Sequence, residues 1–291
     1  MSVPQTHRVV VIARDQSQQV QDAWGELQRH LDERKSFQVI GALTTPEAAH
    51  GTLEADLALV IGGDGAILRA CRSFGHHQLP ILGLNLGRLG FLADLSLDEI
   101  DVGLQHIERG EYRVVNHLMF ECEYIRPDGT SERFLGLNEA SILSAGSLSL
   151  IDVELSIDGK QVTTYSGDGL IISTPVGSTA HSLSAGGPIL RQDLDAFVVT
   201  PLCPHTLTVR PLVDRADVEY SLTAPHAPEG VMLVIDGQIR QPFRSGDLAI
   251  IRRAPVQFQL VRLAGHSYYG ALHRKLGWDG QPRYQRGRTQ T

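Results

Sequence analysis

"LVIGGDGAILR", Leu59 to Arg69, is the stretch on which the reading of the fold turns. An apolar run suited to a buried strand stops at three glycines around one aspartate and passes into an apolar segment of helical spacing. A strand that ends on glycine and continues as a helix is the repeating unit of a parallel α/β sheet. Ligands of such sheets bind beyond the carboxyl ends of the strands. Glycines there permit positive φ and bring backbone N–H groups close to a phosphate, and the N-terminus of the next helix favours an anion. Gly62, Gly63 and Gly65 therefore read as a phosphate cradle. Asp64 is the odd residue, because a carboxylate repels phosphate. It reads instead as facing a second reactant, accepting a hydroxyl proton, or as holding a phosphate-bound divalent cation. A plain strand-to-helix turn accounts for the same four residues equally well.

Outward from this turn the first part of the chain alternates strand and helix signals. "RVVVIAR", "FQVIGAL" and "PILGLN" are short apolar runs, and Val20, Trp24, Leu27 and Leu31 recur at helical spacing. The pattern predicts an α/β domain with a mainly parallel sheet over residues 1–111, closed by a helix from Leu97 to Glu108 with Gly110 as its C-cap. From Tyr112 the period becomes two, in "HLMFECEYI", "IDVELSI", "QVTTYS", "DVEYSLT", "GVMLVID" and "QFQLVRL". This predicts a β-rich domain over residues 112–265, with Asp158-Gly159 and Asp236-Gly237 as tight turns. "SYYGALHRKLGW" returns to helical spacing through Tyr269, Leu272 and Leu276, so residues 266–291 read as a helix docking back on the first domain. The polar tail after it is expected to be disordered.

Composition narrows the function classes. The chain has 291 residues, 42% hydrophobic and 20% charged, as a globular protein does. Its 26 basic and 33 acidic residues are scattered, with a net charge of −7, so no basic stripe suggests a nucleic-acid surface. The early run "VVVIA" is too short to span a membrane and has no signal-peptide layout, so a cytoplasmic protein without a membrane partner is expected. Cys71, Cys122 and Cys203 form no C-x-x-C pair and read as buried free thiols in a reducing compartment. His76, His77 and His205 lack metal-ligand spacing, and no all-protein metal site is expected.

Neither G-x-x-x-x-G-K-[ST] nor G-x-G-x-x-G occurs, which disfavours a P-loop ATPase or a Rossmann dehydrogenase. "NLGRLGFLADL", Asn85 to Leu95, is a second glycine-rich connection after a strand and could line the same cleft. Arg88 in it reads either as a phosphate contact or as a solvent-facing loop residue. "GDGLIISTPVGSTAHSLSAGGP", Gly167 to Pro188, holds a short strand and then a long polar segment of the kind that is usually functional when it is ordered. Thr179, Ala180, His181 and Ser184 could supply hydroxyls, backbone groups and a flat ring to a nucleoside; without a G-x-S-x-G elbow a serine hydrolase is disfavoured. "LNEAS" sets Asn138 beside Glu139. Adjacent residues on a continuing strand face opposite ways, so both serve one ligand only if the strand bends or ends there. "TPLCPHTLTVRP", Thr200 to Pro211, reads as a rigid connector.

Taken together, these segments resemble the bacterial NAD kinases. The match includes "GGDG", "NLGRLGFLADL", "NE" at Asn138 and Glu139, "DGLIISTPVGSTAHSLSAGGPIL" from Asp168, "PLCPHTLTVRPLV" from Pro201, "DGQ" from Asp236 and "KLGW" from Lys275, in the same order over residues 8 to 280. "GGDG" alone is shared with diacylglycerol kinases, sphingosine kinases and phosphofructokinases; the long Thr/Ser/Gly segment is far more specific. The resemblance implies ATP-dependent phosphorylation of the adenosine ribose 2′-hydroxyl of NAD to give NADP, with a divalent cation, Mg²⁺ or Mn²⁺, accompanying ATP. It implies Asp64 as proton acceptor, Gly65 beside the dinucleotide, and Asn138, Glu139, Asp168 and Gln238 as NAD-binding residues. Thr179, Ala180, His181, Ser182, Leu183 and Ser184 then line the pocket, and two further positions fall on Ser149 and Ser166. A homo-oligomer, dimer or tetramer, is implied as well. Ala66, Val176 and His181 depart from the commoner Thr or Asn, Thr and Tyr of the family. Two rival readings are a non-catalytic NAD(P)-binding sensor and a lipid kinase of the wider "GGDG" group. Asp64 with its intact glycines counts against the first, and the lack of membrane-facing amphipathic stretches against the second.

Overall fold

The computed structural model describes residues 6–13, 15–44, 54–87, 90–93, 95–144, 150–265 and 268–277. Ser149, Arg88 and the polar tail, on which expectations were placed above, lie outside them. The N-terminal α/β domain contains β1 (His7–Ala13), β2 (Phe37–Thr44), β3 (Leu57–Ile61), β4 (Ile81–Asn85) and β5 (Leu95–Ser96), with every pairing among them parallel. β3 and β4 are buried throughout, as strands of a sheet covered on both faces must be. Alternate residues sort between the faces. Val9, Val11, Leu59 and Ile61 pack on α1 (Gln18–Asp32), while Val10, Ile12, Ala58 and Val60 pack on α2 (Asp64–Phe74). A 3-10 turn at Leu97–Glu99, opened by a Ser96–Glu99 capping box, leads into α3 (Ile100–Glu108), and Gly110 follows at φ 66.

The β-rich domain opens with β6 (Tyr112–Ile125), β7 (Ser131–Gly136), β8 (Glu139–Ser144), β9 (Ile151–Ile157), β10 (Lys160–Gly167) and β11 (Gly169–Ser173). After the short helix α4 (His181–Ser184) come β12 (Ala196–Leu202), β13 (Leu212–Arg215), β14 (Tyr220–Thr223), β15 (Val231–Ile235), β16 (Ile239–Pro242) and β17 (Leu248–Leu263). Six of these strands make an antiparallel sheet in the order β13-β12-β11-β8-β15-β16. It packs on β6, β9 and β14 through Phe120, Tyr124, Leu155, Ile172, Phe197, Tyr220 and Leu233. Asp158 and Gly159 take positive φ between β9 and β10, and Asp236 and Gly237 do so between β15 and β16.

The 16-residue β17 ties the two domains together. Along most of its length it pairs antiparallel with β6, and at Leu260 it pairs parallel with Ile81 of β4. One eleven-stranded sheet thus runs through both parts. Its register shifts between Arg253 and Gln257, where Pro255 has no N–H to offer a ladder. α5 (Tyr268–Leu276) returns to the first domain by packing Ala271 and Leu272 on Phe91. It also touches the second domain, where Ile189 joins the same cluster and the Tyr268 hydroxyl donates to Leu190 O at 2.7 Å. Among the described residues no helix is long and apolar enough to cross a membrane.

Candidate active site

β3 delivers the chain to Gly62, whose φ of 148° suits glycine, and α2 starts at Asp64 with Gly63 in the N-cap position. The Asp64 carboxylate is gripped from two sides. Phe91 N–H donates to Oδ2 at 2.8 Å, while Leu92 and Ala93 N–H donate to Oδ1 at 3.0 and 3.1 Å. Lys275 on α5 places its Nζ 3.7 Å from Oδ2 and 4.2 Å from the Phe91 ring centroid. Only glycine fits at position 90, because a Cβ there would lie 1.9 Å from Asp64 Oδ1. The second glycine-rich connection therefore does reach the first, and it does so through main-chain N–H groups.

The Asn138–Glu139 pair lies where β8 begins, so strand alternation does not force the two side chains apart. The carboxylate of Asp236 braces this turn from below. It accepts N–H from Leu137 at 3.1 Å, Asn138 at 2.7 Å and Glu139 at 3.2 Å, and Arg72 Nη1 from α2 lies 3.1 Å from its Oδ2. Burial pushes the Asp236 pKa up, while Arg72 and the three amides oppose the rise; every one of these contacts is a donor, as an ionised carboxylate requires. Arg72 Nη2 donates to Gln238 Oε1, and Gln238 Nε2 donates to Gly65 O at 3.1 Å. Glu139 is buried at 5% exposure, and its Oε2 has no partner among the described residues. Desolvation, with the Asp236 charge second, raises its pKa to about 8.

The Thr/Ser/Gly segment is stapled to the same turn. Thr174 N–H donates to Asn138 O at 2.9 Å and its hydroxyl to Leu137 O at 2.5 Å. A Cβ on Gly177 would sit 2.1 Å from Asn138 O, so only glycine allows this approach. Beyond it a 3-10 turn, Gly177–Thr179, leads into α4. His181 and Ser184 are exposed, and Thr179, Ala180 and Leu183 are half-buried. Ser182 points inward, with its hydroxyl 2.8 Å from that of Thr200. Val176 is buried in the core that covers α2, which explains an apolar residue in place of threonine. Thr200 to Leu202 are strand rather than connector.

Asp168 and Ser166 lie elsewhere. In the antiparallel pairing of β8 with β11, Ser173 faces Glu139 and Gly169 faces Leu143. Asp168 is therefore at the far end of β11, about 13 Å or more along the strand from the Asn138 turn. Ser166 donates its hydroxyl to Asp152 there, and Cys203 shares a hydrogen bond with Asp168. Cys203 also corrects the expectation of buried thiols: Cys71 and Cys122 are buried, but Cys203 is exposed. Among the described residues no three His, Cys, Asp or Glu side chains gather as a metal site.

Sequence reasoning missed Arg72, Lys275 and the bracing role of Asp236. The "DGQ" and "KLGW" segments were the signals for the last two. Arg72 had none, since a helical arginine is ordinarily a solvated one.

Comparison with known proteins identifies the family. The profile described as ATP-NAD kinase N-terminal domain matches residues 6–112, and that described as ATP-NAD kinase C-terminal domain matches residues 137–263. The chain is 42% identical over 274 residues to the NAD kinase of Rhodopirellula baltica, covering 94% of this chain and 88% of that one. It is 36% identical over 278 residues to the NAD kinase of Geobacter metallireducens, covering 93% and 98%. Among solved structures it resembles yeast NADH kinase complexed with NADH (TM-score 0.87, 24% identity, 96% of this chain and 90% of that one). It also resembles an NAD kinase from Archaeoglobus fulgidus in complex with ATP (TM-score 0.72, 27% identity, 94% and 100%). With both domain profiles matched in order and relatives aligned over nearly their whole length, the chain is an enzyme, a kinase, and belongs to the NAD kinase family.

Proposed function

We propose that this kinase moves the γ-phosphoryl group of ATP to the 2′-hydroxyl of the adenosine ribose of NAD, giving NADP, with Asp64 accepting the hydroxyl proton. The observation that carries this reading is the convergence on Asp64 of the glycine turn, the 91–93 amides and Lys275. The donors fix the carboxylate in one orientation at the N-terminus of α2, where the helix dipole favours transferring phosphates. Gly62, Gly63 and Gly65 present backbone to those phosphates, while Asn138, Glu139, Gln238 and the segment from Thr179 to Ser184 form the dinucleotide side. Proton removal makes the ribose oxygen a competent nucleophile as the γ-phosphorus–oxygen bond to ADP breaks. The two turns supply the rest by holding the reactants in line. Asp64 is surrounded by donors, and a Mg²⁺ or Mn²⁺ ion arriving with ATP would neutralise charge on the nucleotide's phosphates. The relatives named for NADH and ATP complexes support both ligands.

A homo-oligomer, dimer or tetramer, would let a second copy bring Asp168 and Ser166 to a dinucleotide that the first copy alone does not reach with them. Exposed Leu207, at 92%, and Val213 on the edge strand β13 offer apolar surface for such contact. A cytoplasmic location fits three unpaired cysteines. The reaction is tested by incubating the purified protein with NAD, ATP and Mg²⁺ and reading the product with an NADP-specific dehydrogenase. NADP formation supports the proposal. NAD binding without any NADP, with ATP or polyphosphate as donor, would leave the sensor reading in its place.

A further inference from the structure

Two turns from different domains must meet in register for this site to work: the one that presents Asp64 and the one that presents Asn138 and Glu139. One side chain joins them. Arg72 lies on α2, eight residues beyond Asp64 and about 12 Å along the same helix, so it moves with Asp64 as one body. Its side chain is 13% exposed and that of Asp236 is 0% exposed. Desolvating such a pair offsets much of its attraction, so the pair contributes geometry more than stability. The guanidinium uses two nitrogens on two partners, Nη1 on Asp236 and Nη2 on Gln238. Asp236 in turn holds the amides of Leu137, Asn138 and Glu139, and its own N–H donates to Glu139 O at 2.9 Å. Gln238 closes the circuit through Gly65 O, next to Asp64. Both ends of the Gln238 amide are thereby engaged with protein.

We propose that Arg72, with Asp236 and Gln238, is a positioning strut that sets the distance between the proton acceptor and the dinucleotide-holding turn. The proposal rests on the NAD kinase reading of the site. A lysine keeps the charge but has no planar fork to span both partners. Misplacing reacting groups by an ångström costs far more in turnover than in binding.

The test compares Arg72→Lys and Arg72→Gln with the parent for kcat, KM for NAD, Kd for NAD by calorimetry, and thermal stability. Folded variants are expected to lose at least about tenfold in kcat while Kd for NAD stays within about threefold. A kcat within about twofold of the parent in both, or a loss confined to KM and Kd, would overturn the strut. If Arg72→Lys does not fold, the double variant Arg72→Met/Asp236→Asn, which removes both charges together, takes its place with the same expectation. Parent protein in the same assay separates this from failure of the reaction itself. Should the parent form no NADP, hydrogen exchange of the 137–139 amides decides. Faster exchange in Arg72→Lys keeps the strut, and unchanged exchange overturns it.

Discussion

Glu139→Gln isolates a strongly perturbed carboxyl next to the site. The glutamate is buried beside the Asp236 charge, with Oε2 unpartnered, and holds its proton up to about pH 8 when folded, against 4.5 when solvated. The folded state therefore binds more protons than the unfolded one between these values. Stability from this group is complete below pH 4.5 and is lost as the pH rises through 8. At about 1.4 kcal/mol per unit, the loss is on the order of 5 kcal/mol. Glutamine has the same shape and no charge to desolvate, so it removes the dependence. Thermal melts without nucleotide from pH 5 to pH 9 measure the difference in Tm between variant and parent. About 3.5 kcal/mol of that loss falls between pH 5 and pH 8, so at about 2 °C per kcal/mol for a chain of this size the difference should move by roughly 7 °C in favour of the variant over that range and then level off. A difference that stays constant across that range would refute the assignment of a buried, protonated Glu139.

Three further outcomes follow from the same contacts. Gly90→Ala puts a methyl group 1.9 Å from Asp64 Oδ1 and should cut kcat by about 100-fold through displacement of the carboxylate, measurable in the NADP-coupled assay. His117 is buried with its pKa lowered to about 4, mainly by desolvation, and its Nδ1 donates to Gln192 O at 3.1 Å. Its folded value lies below 6.5, so its stabilising contribution is complete above pH 6.5 and is lost as the pH falls towards 4; His117→Asn should flatten the drop in Tm between pH 7 and pH 4.5. Cys203 should be the thiol that a maleimide labels in the native protein, with Cys71 and Cys122 labelled only after unfolding, as mass spectrometry of digested protein would show.

Much of this was legible in residue patterns because those patterns report burial. The unbroken apolar run of β3 and the three glycines after it located the turn, and the change of period near Tyr112 marked the start of the antiparallel strands. Period, however, says which face of a strand is covered and not which strand lies beside it. That is why the joining of both domains into one sheet through β17 was invisible. The same limit hid the distance from Asp168 to Asn138, which is set by the β8–β11 register. Arg72 and Lys275 act across 164 and 211 residues of sequence respectively, and nothing local distinguishes them from solvated helical cations. Backbone donors such as the 91–93 amides carry no side-chain signature at all; Gly90 was their only trace.

The central claim is that Asp64 removes the proton from the attacking hydroxyl, and Asp64→Asn tests it most directly. Asparagine keeps the size and one acceptor for the Leu92 and Ala93 amides but has little basicity. With NAD binding checked by calorimetry, kcat for NADP formation should fall by about 100- to 10,000-fold while Kd for NAD stays within about threefold. Turnover close to that of the parent in this folded, NAD-binding variant would contradict the account.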